Sequence, residues 1–185
     1  MFVRITYFVH GTTTDNEKHI ATGWNPGELS VRGKKQSLEL KKLIKGKTFD
    51  VVFCSDLKRA VDSTKLTFGR SVPIIQDKKL RECNYGKLNG TDSKKVYSMK
   101  SKCINKKFPA GESYNDVEKR MRSFLKGLLK NYNGKKIAIV GHQAPQLALD
   151  VIVKGKNWSQ AMTEDWREKG NWKPGWTYIL KAENI

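Results

Sequence analysis

Residues 2–9, FVRITYFV, alternate and are rich in β-branched and aromatic side chains, the pattern of a half-buried strand. VVFC at 51–54, VPII at 72–75 and KIAIV at 136–140 are short apolar runs of the kind that fill buried strands, with TYIL at 177–180 a fifth candidate. Between the strands the period changes. Val117, Met121, Phe124, Leu125 and Leu128 follow the spacing of one helical face, and Leu29, Leu38, Leu40, Leu43 and Ile44 trace a second face from Ser30. Ser55 and Ser113 stand where N-caps are expected. Strand and helix alternate, which predicts an α/β fold: a three-layer αβα sandwich with a mostly parallel central sheet, right-handed crossovers and helices on both faces.

One stretch breaks the pattern. Residues 91–112, TDSKKVYSMKSKCINKKFPAGE, are lysine-rich and weakly periodic, and read as a lid or excursion with one short helix. No internal repeat or Pro/Ser/Gly-rich linker divides the 185 residues, a length that suits a single domain over 1–185.

Composition narrows the class further. Hydrophobic residues make up 38% and charged residues 29%, enough apolar surface for a core and too ordinary for a disordered or collagen-like chain. Apolar runs such as IAIVG at 137–141 fall well short of a membrane span, which needs roughly 20 residues. Arg4 interrupts the N-terminal run, which lacks the apolar block and cleavage site of a signal peptide. Cys54, Cys83 and Cys103 are odd in number and widely spaced, so free thiols in a reducing cytoplasm are expected rather than disulfides or zinc ligation. The formal charge of +18 favours anionic partners, yet the lysines scatter along the whole chain. That suits a solvated surface, and nucleic acid is not the expected partner. Monomer and homodimer both stay open.

The chemistry gathers where the strands end, because open α/β sheets bind ligands beyond the carboxyl ends of their strands. His10 and Gly11 follow the first strand, and Ser55, Asp56 and Arg59 the second. Arg81 and Glu82 come after the third, and Gly141 and His142 after the fourth. His19 reads as a solvated loop residue. Two imidazoles, a guanidinium and a carboxyl group suit phosphoryl transfer: a nitrogen attacks phosphorus, cations hold its oxygens, and an acid protonates the leaving group.

Six blocks then resemble, in order, the histidine phosphatase superfamily, also called phosphoglycerate mutase-like. They are Val9-His10-Gly11 with Thr13 and Asn16; Gly23, Leu29, Ser30, Gly33 and Gln36; and Ser55-Asp56-Leu57 with Arg59, Ala60 and Thr64. The other three are Leu80-Arg81-Glu82 with Tyr85, Gly86 and Gly90; Gly111-Glu112-Ser113; and Gly141-His142. The resemblance implies a phosphoglycerate mutase-like fold and a phosphatase that acts on a small phosphorylated substrate through a phosphohistidine, with neither metal nor cofactor. It makes His10 the nucleophile and Glu82 the proton donor. Arg59 and His142 would hold the phosphoryl oxygens, helped by Asn16 and Thr13. A phosphomutase and a non-catalytic phosphate-binding module are the alternatives. Val9 replaces the arginine of the family's Arg-His-Gly motif, so the pocket lacks one two-pronged phosphate donor. Arg81 is the first candidate to replace it, ahead of Lys94, Lys95, Lys106 or Lys107; Gln143 replaces a glycine, and its amide is placed to reach the substrate. Trp24, Tyr85 and Trp158, Trp166, Trp172 and Trp176 are expected mainly to pack, with some facing the leaving group.

Overall fold

The alternation of residues 2–9 becomes strand β1 (Phe2–Val9) in a computed structural model that describes residues 1–185. β2 (Ile20–Ala21) lies apart from the main sheet and pairs with β5 (Thr91–Asp92). The sheet itself runs β4 (Ile74–Gln76), β3 (Val51–Cys54), β6 (Lys136–Gly141), β1, β7 (Trp176–Lys181). The first four strands are parallel, and only β7 is antiparallel, against β1.

Strand alternation builds the three layers. Val3, Ile5, Tyr7, Val51, Phe53, Ile137 and Ile139 face a core shared with α5 (Tyr114–Asn131) and α6 (Gln143–Lys154). Phe8, Val52, Cys54, Ala138 and Val140 face a smaller core under α2 (Val31–Leu43) and α3 (Lys58–Phe68). Side chains two apart share a face, so each central strand feeds both layers. α1 (Thr14–Glu17), α4 (Ser93–Met99), α7 (Trp158–Thr163) and α8 (Trp166–Lys169) are short and stand in the connections.

Three local expectations are corrected. The helix from Ser30 forms, but it buries Gly33, Ser37, Leu40 and the following Ile44, while Leu38 and Leu43 are 47% and 56% exposed. The cause is close packing of α2 on α3 through small polar residues. Ser37 Oγ meets Ser63 Oγ at 3.3 Å, and Thr67 Oγ1 donates to Ser37 O at 3.1 Å. Ser55 is not an N-cap. Its Oγ accepts from Leu57 N in the turn ahead of α3, whose own N-cap, Leu57, offers no side-chain bond. Ser113 does cap α5, in a reciprocal box with Asp116. The fourth strand in chain order begins at Ile74 rather than Val72, with Val52 N bonded to Pro73 O just before it. The segment 91–112 contains β5, α4 and a 3-10 turn at Lys102–Ile104, with Val96, Cys103 and Phe108 buried as its anchors.

If α2 is oriented this way, Leu40→Ala should cost about 2–4 kcal/mol, whereas Leu38→Lys should change stability by no more than ~0.5 kcal/mol. Urea unfolding of the two variants checks it; equal losses would place both leucines in the core.

Candidate active site

Strand register brings the two histidines together. Val9 pairs with Gly141 across β1 and β6, so His10 and His142 are the next residues on adjacent parallel strands. Tyr7 then fixes the second one: its hydroxyl donates to His142 O at 2.8 Å and accepts from His142 N at 2.7 Å. Burial and the charge of Glu82 push the phenol's pKa up, which keeps the proton it donates. Gly141 is required here, since a Cβ would collide with that hydroxyl. The imidazole rings sit edge to face, 4.9 Å between centroids.

His10 Nδ1 lies 2.7 Å from Gly11 O; a carbonyl can only accept, so Nδ1 carries the hydrogen and Nε2 keeps its lone pair. Burial first, and the Arg59 charge second, push the His10 pKa down to about 3, against an ordinary value of about 6.5. His142 is held well below its ordinary value by burial, then by Arg59 and His10. It is 1% exposed, and neither ring nitrogen has a partner.

Glu82 reaches the pair from the loop after β4. Oε1 accepts from Cys83 N at 2.8 Å and Ala144 N at 3.0 Å, and Oε2 accepts from Gln143 N at 3.1 Å. Two of these amides belong to the first turn of α6, where unpaired N–H groups and the helix dipole favour an anionic group. Arg59, 2% exposed, donates to Asn25 O at 3.0 Å and Gly23 O at 2.7 Å, so it supports the loop that forms one wall. Burial lowers its pKa from the ordinary arginine value, with Glu82 opposing.

A cavity of about 370 Å³ opens over these groups. His10, Asn16, Gly23, Arg59, Glu82, His142 and Gln143 line it, as do Val9 and Tyr85, with His19 at its exposed rim. Other expected members lie elsewhere. Gly11 turns its amide to Ser63 Oγ, and Thr13 spends its hydroxyl on the cap of α1 beside Asn16, leaving Thr12 to face the cavity. Arg81 is outside: it forms a two-pronged pair with Asp56 at 2.7 and 2.6 Å and lies 4.7 Å over the Trp24 ring. Lys94, Lys95 and Lys106 are exposed, and Lys107 faces Asp116 at 3.6 Å. The Gln143 side chain accepts from Lys100 Nζ at 3.2 Å and donates to Asp165, so it joins α4 to α8.

Three contributors escaped sequence reasoning. Tyr7 reads as an ordinary inward strand residue, Lys100 is one lysine among many, and Arg167 lies in a weakly periodic tail. Lys100 and Arg167 line the cavity, as does Trp166, one of the tryptophans expected to pack or to face the leaving group. A second cavity of about 500 Å³ lies against β1 and α2, and shares Val9, His10, Thr12 and Trp166 with the first.

With both histidine pKa values depressed, neither imidazole should take up a proton between about pH 8 and about pH 5. Histidine NMR resonances followed through that range check it, and a midpoint near 6.5 for His10 would contradict the burial. The sign for stability follows. Unfolded imidazoles protonate near their ordinary value of about 6.5 and the folded ones do not, so acid favours the unfolded chain. The His10 contribution is complete above about 6.5 and is lost as pH falls toward about 3, and His142 acts in the same direction.

Known proteins resemble this chain in sequence and in fold. A family model, the histidine phosphatase superfamily (branch 1), matches residues 7–170. A 2,3-bisphosphoglycerate-dependent phosphoglycerate mutase of Streptococcus equi subsp. zooepidemicus is 37% identical over 94 residues, 48% of this chain and 41% of its own length. This chain thus spans less than half of the curated relatives it matches. Among solved structures, Bacillus stearothermophilus YhfR superposes with a TM-score of 0.80 at 20% identity, over 97% of this chain and 91% of its own. The alpha-ribazole phosphatase of Shigella flexneri gives 0.76 at 24% identity, over 86% and 84%. The structural likenesses establish a phosphoglycerate mutase-like fold. With the family match extending from Tyr7 in β1 to Gly170 just past α8, the chain belongs to the histidine phosphatase superfamily.

Proposed function

We propose that the protein is a phosphatase that hydrolyses a small phosphate monoester through a phosphohistidine on His10. The observation that carries this reading is the histidine pair: a half-buried, neutral His10 imidazole with its Nε2 lone pair free, beside the buried His142 imidazole with no partner inside the protein. Arg59 and Lys100 add positive charge, and Glu82 is the one carboxylate lining the cavity.

His10 Nε2 attacks phosphorus, and the bond from phosphorus to the ester oxygen breaks. Glu82, which must carry a proton when the substrate binds, gives it to that oxygen. Oε2, which takes one amide bond against two at Oε1, is the oxygen with room to carry it. The resulting carboxylate then takes a proton from water as the water oxygen attacks phosphorus and the bond to Nε2 breaks, releasing orthophosphate and restoring His10. The transferred group keeps its negative charge throughout, so fixed donors supply most of the stabilisation, and no step here calls for a metal ion. Val9 favours one second reading, a module that binds a phosphorylated ligand without turning it over.

Protein quenched during turnover should carry one acid-labile, base-stable phosphoryl group, absent in His10→Ala; mass spectrometry that placed it on serine or aspartate would end the assignment. No orthophosphate release from any phosphomonoester in a broad panel would leave the binding reading in its place.

Replacing the proton donor should discriminate between leaving groups. Glu82→Gln is expected to slow alkyl phosphates about a hundredfold more than p-nitrophenyl phosphate, whose leaving group needs little protonation. Steady-state kcat/KM on both substrates decides, and equal losses would reduce Glu82 to a positioning role.

A further inference from the structure

The residue next to His10 on β1 is an uncharged valine, so the cavity's cations arrive from other elements. Arg59 comes from α3, Lys100 from the end of α4 and Arg167 from α8. Arg167 is held with particular care. Its Nη1 bonds Asp165 Oδ1 at 2.8 Å and its Nη2 bonds Gln146 Oε1 at 3.0 Å, leaving three of its five N–H groups without a partner. The guanidinium lies 4.5 Å over the Trp166 ring, and Trp166 stacks on Trp176 of β7 at 5.1 Å.

Asp165, 4% exposed, also receives the amide of Gln143, the residue directly after His142. The side chain is therefore anchored both to the sheet edge and to α6. Its charge reaches both imidazoles, lowering the proton affinity of His10 and of His142. Trp166, which carries the guanidinium, also borders Val9 and His10 where the two cavities meet.

We propose that Arg167 is the second guanidinium of the phosphoryl site, delivered by α8 in place of a cation at position 9, and that its free N–H groups bind oxygens of the transferred group alongside Arg59. The assignment rests on the cavity taking a phosphoryl group, as proposed above. Phosphoryl transfer spreads charge over three oxygens, and a planar fork that needs no reorganisation stabilises it well. Asp165, Gln146 and Trp166 are positioning residues, since each holds the fork and none carries positive charge. An arginine added at position 9 would crowd like charges into one space.

The test compares wild type, Arg167→Ala, Arg167→Lys, Val9→Arg and the Val9→Arg/Arg167→Ala double variant. Orthophosphate affinity is measured by calorimetry and kcat/KM with p-nitrophenyl phosphate. Arg167→Ala should bind orthophosphate at least about tenfold more weakly and lose about a hundredfold in kcat/KM. Arg167→Lys should fall between, because it keeps the charge and loses the fork. Val9→Arg alone should be neutral or harmful, yet recover about tenfold or more in the Arg167→Ala background. An Arg167→Ala variant within about twofold of wild type on both measures, or a loss that Val9→Arg does not relieve, overturns the assignment. Should Arg167→Ala fail to fold, Arg167→Lys decides, and an unchanged orthophosphate affinity overturns it. Wild type that neither binds nor releases orthophosphate overturns the phosphatase reading along with this one, whereas an active wild type matched by Arg167→Ala removes Arg167 alone.

Discussion

The two-way hydrogen bond between the Tyr7 hydroxyl and the backbone of His142 is the constraint on which the site depends. It satisfies a buried N–H and a buried carbonyl at the point where β6 stops pairing and α6 has not begun. Without it the N–H would be unpaired in the core, and the carbonyl would keep only the long 3.4 Å bond from Gln146 N. With it, the backbone of His142 is locked against β1 while its ring is left without a protein partner. Gly141 follows from the same bond, because the phenol occupies the space of a side chain there. A second close approach sets the other side of His10: a Cβ at Gly11 or Gly33 would run into the opposing backbone, so the start of α2 rests directly on the loop after His10. His10 is thus held between two contacts that tolerate only glycine.

Burial does chemical work here as well as structural work. Removing the histidines from water beside Arg59 disfavours their cationic forms, so an imidazole that would be partly protonated in solution near neutrality stays a free base. On the proposed phosphatase reading, the same cations attract the anion that the free base attacks. Glu82 balances part of that charge and is steered by backbone amides of α6, so its direction is set by the helix and not by neighbouring side chains. Lys100, Gln143, Asp165 and Arg167 then form a polar chain across the mouth that ties the excursion after β5 to the segment after α7.

Much of this was legible from residue types. Strands in a parallel sheet announce themselves as apolar runs, and motif residues at their carboxyl ends needed only the register to meet; His10, Arg59, Glu82 and His142 were therefore found. The failures have a common physical origin. Arg81 and Arg167 look equivalent in a sequence, yet Asp56 captures one and Asp165 aims the other, and which carboxylate lies near is a property of tertiary packing. Leu38 and Leu43 were misassigned because the face that approaches α3 is chosen by small residues that let two backbones come close, and hydrophobicity does not record that. Thr13 and Thr12 exchange roles because a capping box consumes the first hydroxyl. Tyr7 carries no polar signal at all, since its ring belongs to the core and only its oxygen to the site.

The strand order has a consequence for how the chain comes together. β1, which leads into His10, is flanked by β6 and β7, both encoded more than a hundred residues later. During synthesis it emerges ahead of the other strands of this sheet: eight residues of strongly β-prone sequence stay without hydrogen-bonding neighbours until residues 136–141 and then 176–181 leave the ribosome. Such distant pairing slows folding and exposes a free edge meanwhile. Arg4, the one charge within that strand, is exposed near its start, where a charge hinders stray edge-to-edge pairing while the partners are still being made.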